Sequence, residues 1–149
     1  MPGLNLGSLK LAEGIDTLRI TDRQWTEILD ELDRRDARQS VKDCRRTSER
    51  VSYRKAGYLE AVITSPGGHS NQFRLRTRDL SNDGLGFLFG QFMYPGTRIA
   101  LILTHVDTGP LTVSGTVRRC EHYERHIHRV GVQFDQPIDA SAFILAAAA

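Results

Sequence analysis

The chain carries only two cysteines in 149 residues, Cys44 and Cys120, too few for a disulfide framework, and it has no C-x-x-C pair for zinc or redox work. Both are read as reduced thiols, with a bond between them left open. No apolar run approaches the length of a bilayer-spanning helix. The N-terminus, Met1-Pro2-Gly3-Leu4-Asn5-Leu6, lacks the basic start and apolar centre of a signal peptide, so a cytoplasmic setting is expected. A G-x-S-x-G elbow, a P-loop and a G-x-G-x-x-G turn are all missing, which argues against catalysis and leaves no case for a cofactor. Lysine is also scarce: 17 of the 20 basic residues are arginine.

What is present describes an ordinary globular chain. Apolar content is 40% and charged content 26%, so disorder and fibrous classes drop out, and 149 residues can bury one proper core. The net charge of +2 is unevenly laid out: residues 1–33 carry −4, 34–60 carry +5, 61–78 carry +3, and the remainder −2. A basic middle between acidic flanks points to a local anion site rather than a coating for duplex DNA. Arginine suits such a site, because its planar fork meets phosphates and guanine edges with two donors and stacks on flat rings.

Thr21 and Gln24 form a capping box, and Ile20 before it is placed to staple onto Trp25. Trp25, Ile28, Leu29 and Leu32 follow on one face, which predicts an amphipathic helix over about 21–38. Residues 39–50 are polar and basic, a linker or arm. From Val51 the pattern becomes β. One long strand is expected from Val51 to Ile63, bent near Gly57 and ending at the Ser65-Pro66-Gly67-Gly68 turn. Phe73, Leu75 and Thr77 then alternate with Arg74, Arg76 and Arg78. Further strands are expected at Leu85–Phe89, Ile99–Val106, Leu111–Cys120 and Ile127–Phe134. Six strands in hairpin order with no crossover helices imply a mainly β fold, an antiparallel barrel or closed sandwich, since an open sheet of this kind would expose its edges. Residues 137–149 predict a short terminal helix, with Phe143, Ile144 and Leu145 placed to plug one barrel end.

Arg-x-x-x-Arg occurs six times and a single instance carries little information, while Asp-x-Ser-x-x-Gly is by itself a common turn. Order gives them weight. Arg46-Thr47-Ser48-Glu49-Arg50 stands just before the first strand, and Asp79-Leu80-Ser81-Asn82-Asp83-Gly84 closes the next, with an arginine-bearing strand between. With Gly131-Val132-Gln133-Phe134 in the last strand, this arrangement resembles the PilZ family of bacterial cyclic di-GMP receptors over roughly residues 44–136. Residues 1–43 then form an N-terminal extension and 137–149 a C-terminal tail. The resemblance implies a six-stranded β-barrel, and an arm that swings over the barrel when the dinucleotide binds. It further implies that Arg46, Arg50, Asp79, Ser81 and Gly84 are ligand positions. Arg45 matches the position where an arginine goes with two intercalated ligands rather than one.

The chemistry of the residues agrees. Guanine presents O6 and N7 to an arginine fork, and N1–H and N2–H to a carboxylate such as Asp79. Ser81 can donate or accept at the same turn, and Gly84 allows a tight turn or close approach. Arg76 or Arg78 is expected to add phosphate contacts, and Arg74 to face solvent. His122, His126 and His128 lack supporting ligands, so surface roles are expected and no metal. The alternatives are a small basic barrel binding single-stranded nucleic acid, with Tyr53, Tyr58 and Phe73 as stacking candidates, and a ligand-blind adaptor. Nucleic acid is the disfavoured partner, and any downstream protein is unidentified.

Overall fold

The structure is a computed structural model that describes residues 14–39, 50–55 and 57–148. Its elements are β1 (Ile15–Asp16), α1 (Asp22–Gln39), β2 (Val51–Ser52), β3 (Leu59–Thr64), β4 (Ser70–Leu80), β5 (Gly84–Phe89), β6 (Arg98–His105), β7 (Gly109–Glu124), β8 (Ile127–Phe134) and α2 (Ala140–Ala148). Six of the strands close on themselves in the order β4-β3-β6-β7-β8-β5, with β5 pairing back onto β4. Every pairing around the ring is antiparallel. The fold is the mainly β, six-stranded antiparallel barrel expected, with an N-terminal and a short C-terminal helix.

Period-two alternation fills the interior. Leu59, Ala61 and Ile63 of β3, Leu85 and Phe87 of β5, Ile99, Leu101 and Leu103 of β6, and Val130, Val132 and Phe134 of β8 meet in one core. Fully burying side chains of this size is worth about 1.5–3 kcal/mol each against the entropy of ordering the chain. Phe143 of α2 enters the same core and meets His105 edge-on, Ile144 packs against that core half-buried, and only Leu145 of the three expected plug residues stays exposed. Asn82 anchors the start of α2: its Oδ1 accepts from Ala140 N at 3.0 Å, and its carbonyl accepts from Ile138 N at 2.8 Å.

Two features differ from expectation. The stretch from Val51 to Ile63 is two strands, not one bent strand. Gly57 takes a positive φ of 77°, a conformation cheap only for glycine, and the chain leaves one pairing for another there. Val51 and Ser52 pair with the far end of β4, opposite Leu80 and Asp79, whereas Leu59–Thr64 pair with Leu75–Ser70. The second feature is β1, which the weak pattern of residues 1–20 did not suggest. It adds parallel to β4 opposite Phe73 and Arg74.

α1 begins at the capping box: Thr21 N donates to Gln24 Oε1 at 2.9 Å and Gln24 N donates to Thr21 Oγ1 at 3.1 Å. Its apolar stripe packs on its own barrel. Trp25, Leu29 and Leu32 are buried with Leu18, Leu88 and Ile127 in a second core on the barrel's outer wall. Along the edge of this contact, barrel arginines meet helix carboxylates: Arg76 with Asp22 at 2.7 Å, Arg54 with Asp30 at 2.8 Å and Asp33 at 2.9 Å, and Arg78 with Asp36.

Candidate functional site

Strict alternation along β4 would send Phe73, Leu75, Thr77 and Asp79 to one face. The structure breaks that rule with a bulge between Thr77 and Asp79. A bulge inserts one residue and re-aims the side chains around it. Arg78 and Asp79 therefore both line one outer recess, while Leu80 returns to the core. Three contacts replace the disturbed ladder. Thr77 Oγ1 donates to the Tyr53 carbonyl, Tyr53 N donates to the Arg78 carbonyl at 2.8 Å, and the Trp25 indole N–H donates to the Thr77 carbonyl at 3.0 Å. The last ties α1 directly to the bulge.

From Asp79 a row of residues crosses the barrel wall. Asp79 stands opposite Gly86, Gly86 opposite Gly131, and Gly131 opposite Arg119. A second bulge, between Val117 and Arg119, ends the row and lets neighbouring Arg118 and Arg119 line the same groove. Gly131 leaves the floor of the trough without a side chain, and the Asp79 carboxylate lies over Gly86. Glycine at 86 makes room for that carboxylate, since a Cβ there would fall on it and turn it aside. Arg50 lines both the inner recess and the open groove of about 510 Å³ beyond it.

The Asp79–Gly84 turn is held by its own hydroxyl. Ser81 Oγ accepts from Gly84 N at 3.1 Å and Asp83 N at 3.2 Å, and Ser81 N donates to the Gly84 carbonyl at 2.9 Å. Ser81 is buried yet still lines the groove. Gly84 lines the groove and does not take a left-handed conformation. A Cβ there would collide with the Val132 carbonyl, so glycine is what lets β5 lie against β8.

The charge is strongly positive on one flank. Arg78 and Arg129 line the inner recess beside Asp79, with Glu121 as a further carboxylate. Burial, and then the like charge of Arg78, push the Arg129 guanidinium down from its ordinary range, with Asp36 acting in the opposite direction. Arg119 pairs with Glu121 at 3.3 Å, and Arg118 donates to Gln133 at 2.8 Å.

Of the expected ligand positions, Arg50, Asp79, Ser81 and Gly84 gather at this trough, whereas Arg45 and Arg46 lie outside the described residues. Arg78 joins them. Arg76 does not: its side chain is 4% exposed, pairs with Asp22, and lies against the Trp25 and Tyr58 rings beneath α1. Arg74 is half-buried rather than fully solvated, with its guanidinium 4.2 Å from the centre of the Tyr58 ring. Arg118, Arg119, Arg129, Gly86 and Gly131 were not picked out as site residues from sequence. The adjacency of Arg118 and Arg119 was a possible signal, but their place depends on a bulge. The histidine rings bond to backbone carbonyls, His122 to Arg125, His126 to Leu18 and His128 to His126, and no group of residues suited to a metal occurs among the described residues.

A family model described as PilZ domain matches residues 45–146. The chain belongs to the PilZ domain family. Among solved structures, the PilZ domain with c-di-GMP of YcgR from Escherichia coli matches this PilZ domain at a TM-score of 0.50 and 16% identity, over 70% of this chain and 92% of that one. The Bacillus subtilis Inhibitor of motility (MotI/DgrA) matches at a TM-score of 0.46 and 14% identity, over 71% of this chain and 51% of that one. The aligned part thus spans about half of the Bacillus protein. A search among curated proteins finds none similar in sequence.

Proposed function

We propose that this PilZ domain is a cyclic di-GMP receptor. The ligand is clamped between the arm, through Arg45, Arg46 and Arg50, and the Asp79–Gly84 turn. The observation that carries this reading is the glycine-floored trough, with the Asp79 carboxylate lying across Gly86 and Arg50 lining the trough. A flat purine lies in the open groove against Gly131, which that groove shares with the narrow recess of about 20 Å³ where Asp79 sits. Its N1–H and N2–H find a carboxylate acceptor, and its phosphates and O6/N7 edge find guanidinium donors. Ser81 acts chiefly by holding the turn. The protein works as a binding module, not an enzyme, and its output is a change in posture of the N-terminal arm. The YcgR domain, whose structure was solved with c-di-GMP, has a similar fold and supports the choice of ligand.

The nucleic-acid reading fares worse. The three rings it rested on are not open stacking platforms: Tyr53 is buried in the core, Phe73 packs edge-on against Phe89, and Tyr58 is covered by Arg74 and Arg76. Calorimetry with cyclic di-GMP on the wild type and on Arg46→Ala tests the receptor reading. Heat that is lost in the mutant is the expected result. No heat from the folded wild type would leave the ligand-blind adaptor as the better description. The same titration on Arg45→Ala reads stoichiometry: two ligands per chain falling to one supports an intercalated pair.

A further inference from the structure

Two arginines that line the recess already hold an anion, and it belongs to the protein. Asp36, near the C-terminal end of α1, places one carboxylate oxygen against Arg78 and the other 3.8 Å from Arg129. Asp33, one turn earlier, lies 3.7 Å from Arg78. These are the two arginines that line the inner recess beside Asp79. Arg78 is 8% exposed and its Nε has no hydrogen-bond partner, so its donors are incompletely used in this arrangement. A carboxylate bridging two guanidinium groups presents two oxygens much as a phosphate does, and a phosphate offers more acceptors and more charge.

Connectivity adds the second half of the argument. α1 ends at Gln39, and Arg50 lines the same recess. Only residues 40–49 join them, so drawing the arm onto a ligand acts directly on the last turns of α1. Those turns are held differently from the first ones. Trp25, Leu29 and Leu32 fix the front of the helix in an apolar seat, whereas beyond Leu32 charge pairs and the Arg35 guanidinium, 5.1 Å from the centre of the Tyr123 ring, face the barrel. Charge pairs exchange for another anion far more readily than buried apolar surface opens.

We propose that Asp36 is an internal competitor for the ligand's phosphate, a latch that holds the end of α1 on Arg78 and Arg129 until cyclic di-GMP displaces it. The proposal rests on the receptor reading above and adds its regulation. Binding and helix release are then one equilibrium, and the affinity observed is the intrinsic affinity reduced by the fraction of molecules with the latch open.

Three proteins decide it: the wild type, Asp36→Asn, and Asp30→Asn, which removes a pair between α1 and Arg54 without touching the recess. In calorimetry with cyclic di-GMP, Asp36→Asn should bind about tenfold more tightly and Asp30→Asn within about twofold of the wild type. By hydrogen–deuterium exchange, the ligand should speed amide exchange across residues 33–39 of the wild type and leave residues 25–32 protected. Thermal melting of each variant establishes that it is folded. Wild-type heat with Asp36→Asn equal to or weaker than the wild type, or with unchanged exchange over 33–39, overturns the latch and leaves the receptor intact. Absence of heat in all three folded proteins overturns the receptor and the latch together.

Discussion

Two glycines only two residues apart should fail in opposite ways when replaced by alanine. At Gly86 the added Cβ falls on the Asp79 carboxylate, the far end of a short side chain that can rotate away. Such an off-rotamer displacement costs about 0.5–1.5 kcal/mol, partly offset by the roughly 0.5–1 kcal/mol that alanine gains over glycine within a strand. The net change is about 1 kcal/mol or less, a shift of only about 3 °C in Tm for a chain of this size. Binding should suffer much more. A carboxylate turned off the trough loses charge-assisted hydrogen bonds worth roughly 1.5–3 kcal/mol, or about 10- to 150-fold in Kd. At Gly84 the Cβ meets the Val132 carbonyl, and backbone cannot rotate away. Overpacking of that kind costs about 3 kcal/mol, and Tm should fall by roughly 6–12 °C. Denaturant melts paired with calorimetry on both variants make the test. A Gly86→Ala protein that binds cyclic di-GMP as the wild type does would refute the role given to Asp79. A Gly86→Ala protein as unstable as Gly84→Ala would refute the geometry itself.

Two other expectations concern the scaffold. Trp25→Phe removes the indole donor from the Thr77 carbonyl at the bulge and should cost about 2 kcal/mol by chemical denaturation followed by circular dichroism, with weakened ligand binding as the bulge relaxes. Burial pushes the Tyr53 phenol above its ordinary value, so its contribution to stability is complete below about pH 10 and is lost as pH rises through the folded-state value. Melting temperatures from pH 9 to 12 should therefore fall more steeply for the wild type than for Tyr53→Phe, and parallel curves would contradict this.

Much of this protein is decided locally. The capping box and the Trp25-Leu29-Leu32 stripe determine α1, because both depend only on spacing within one helix. Alternation and turn residues determine six barrel strands, and hairpin order with the need to cover edges determines that they close. The Asp79–Gly84 turn is also local, since Ser81 satisfies its own neighbours. What sequence could not settle are the places where tertiary contacts override period two. The bulge at Arg78 turns Asp79 outward although alternation points it inward, and it is sustained by Trp25, 52 residues from Thr77 in the chain. The bulge at Arg118 does the same for Arg119. Arg76 and Arg78 look equivalent in the chain, two residues apart on one face. The bulge and the seating of α1 together separate them, burying Arg76 against Trp25 and Asp22 and leaving Arg78 at the trough. The register of four strands then sets Asp79, Gly86, Gly131 and Arg119 in one row, because side chains distant in sequence become neighbours only when the barrel closes.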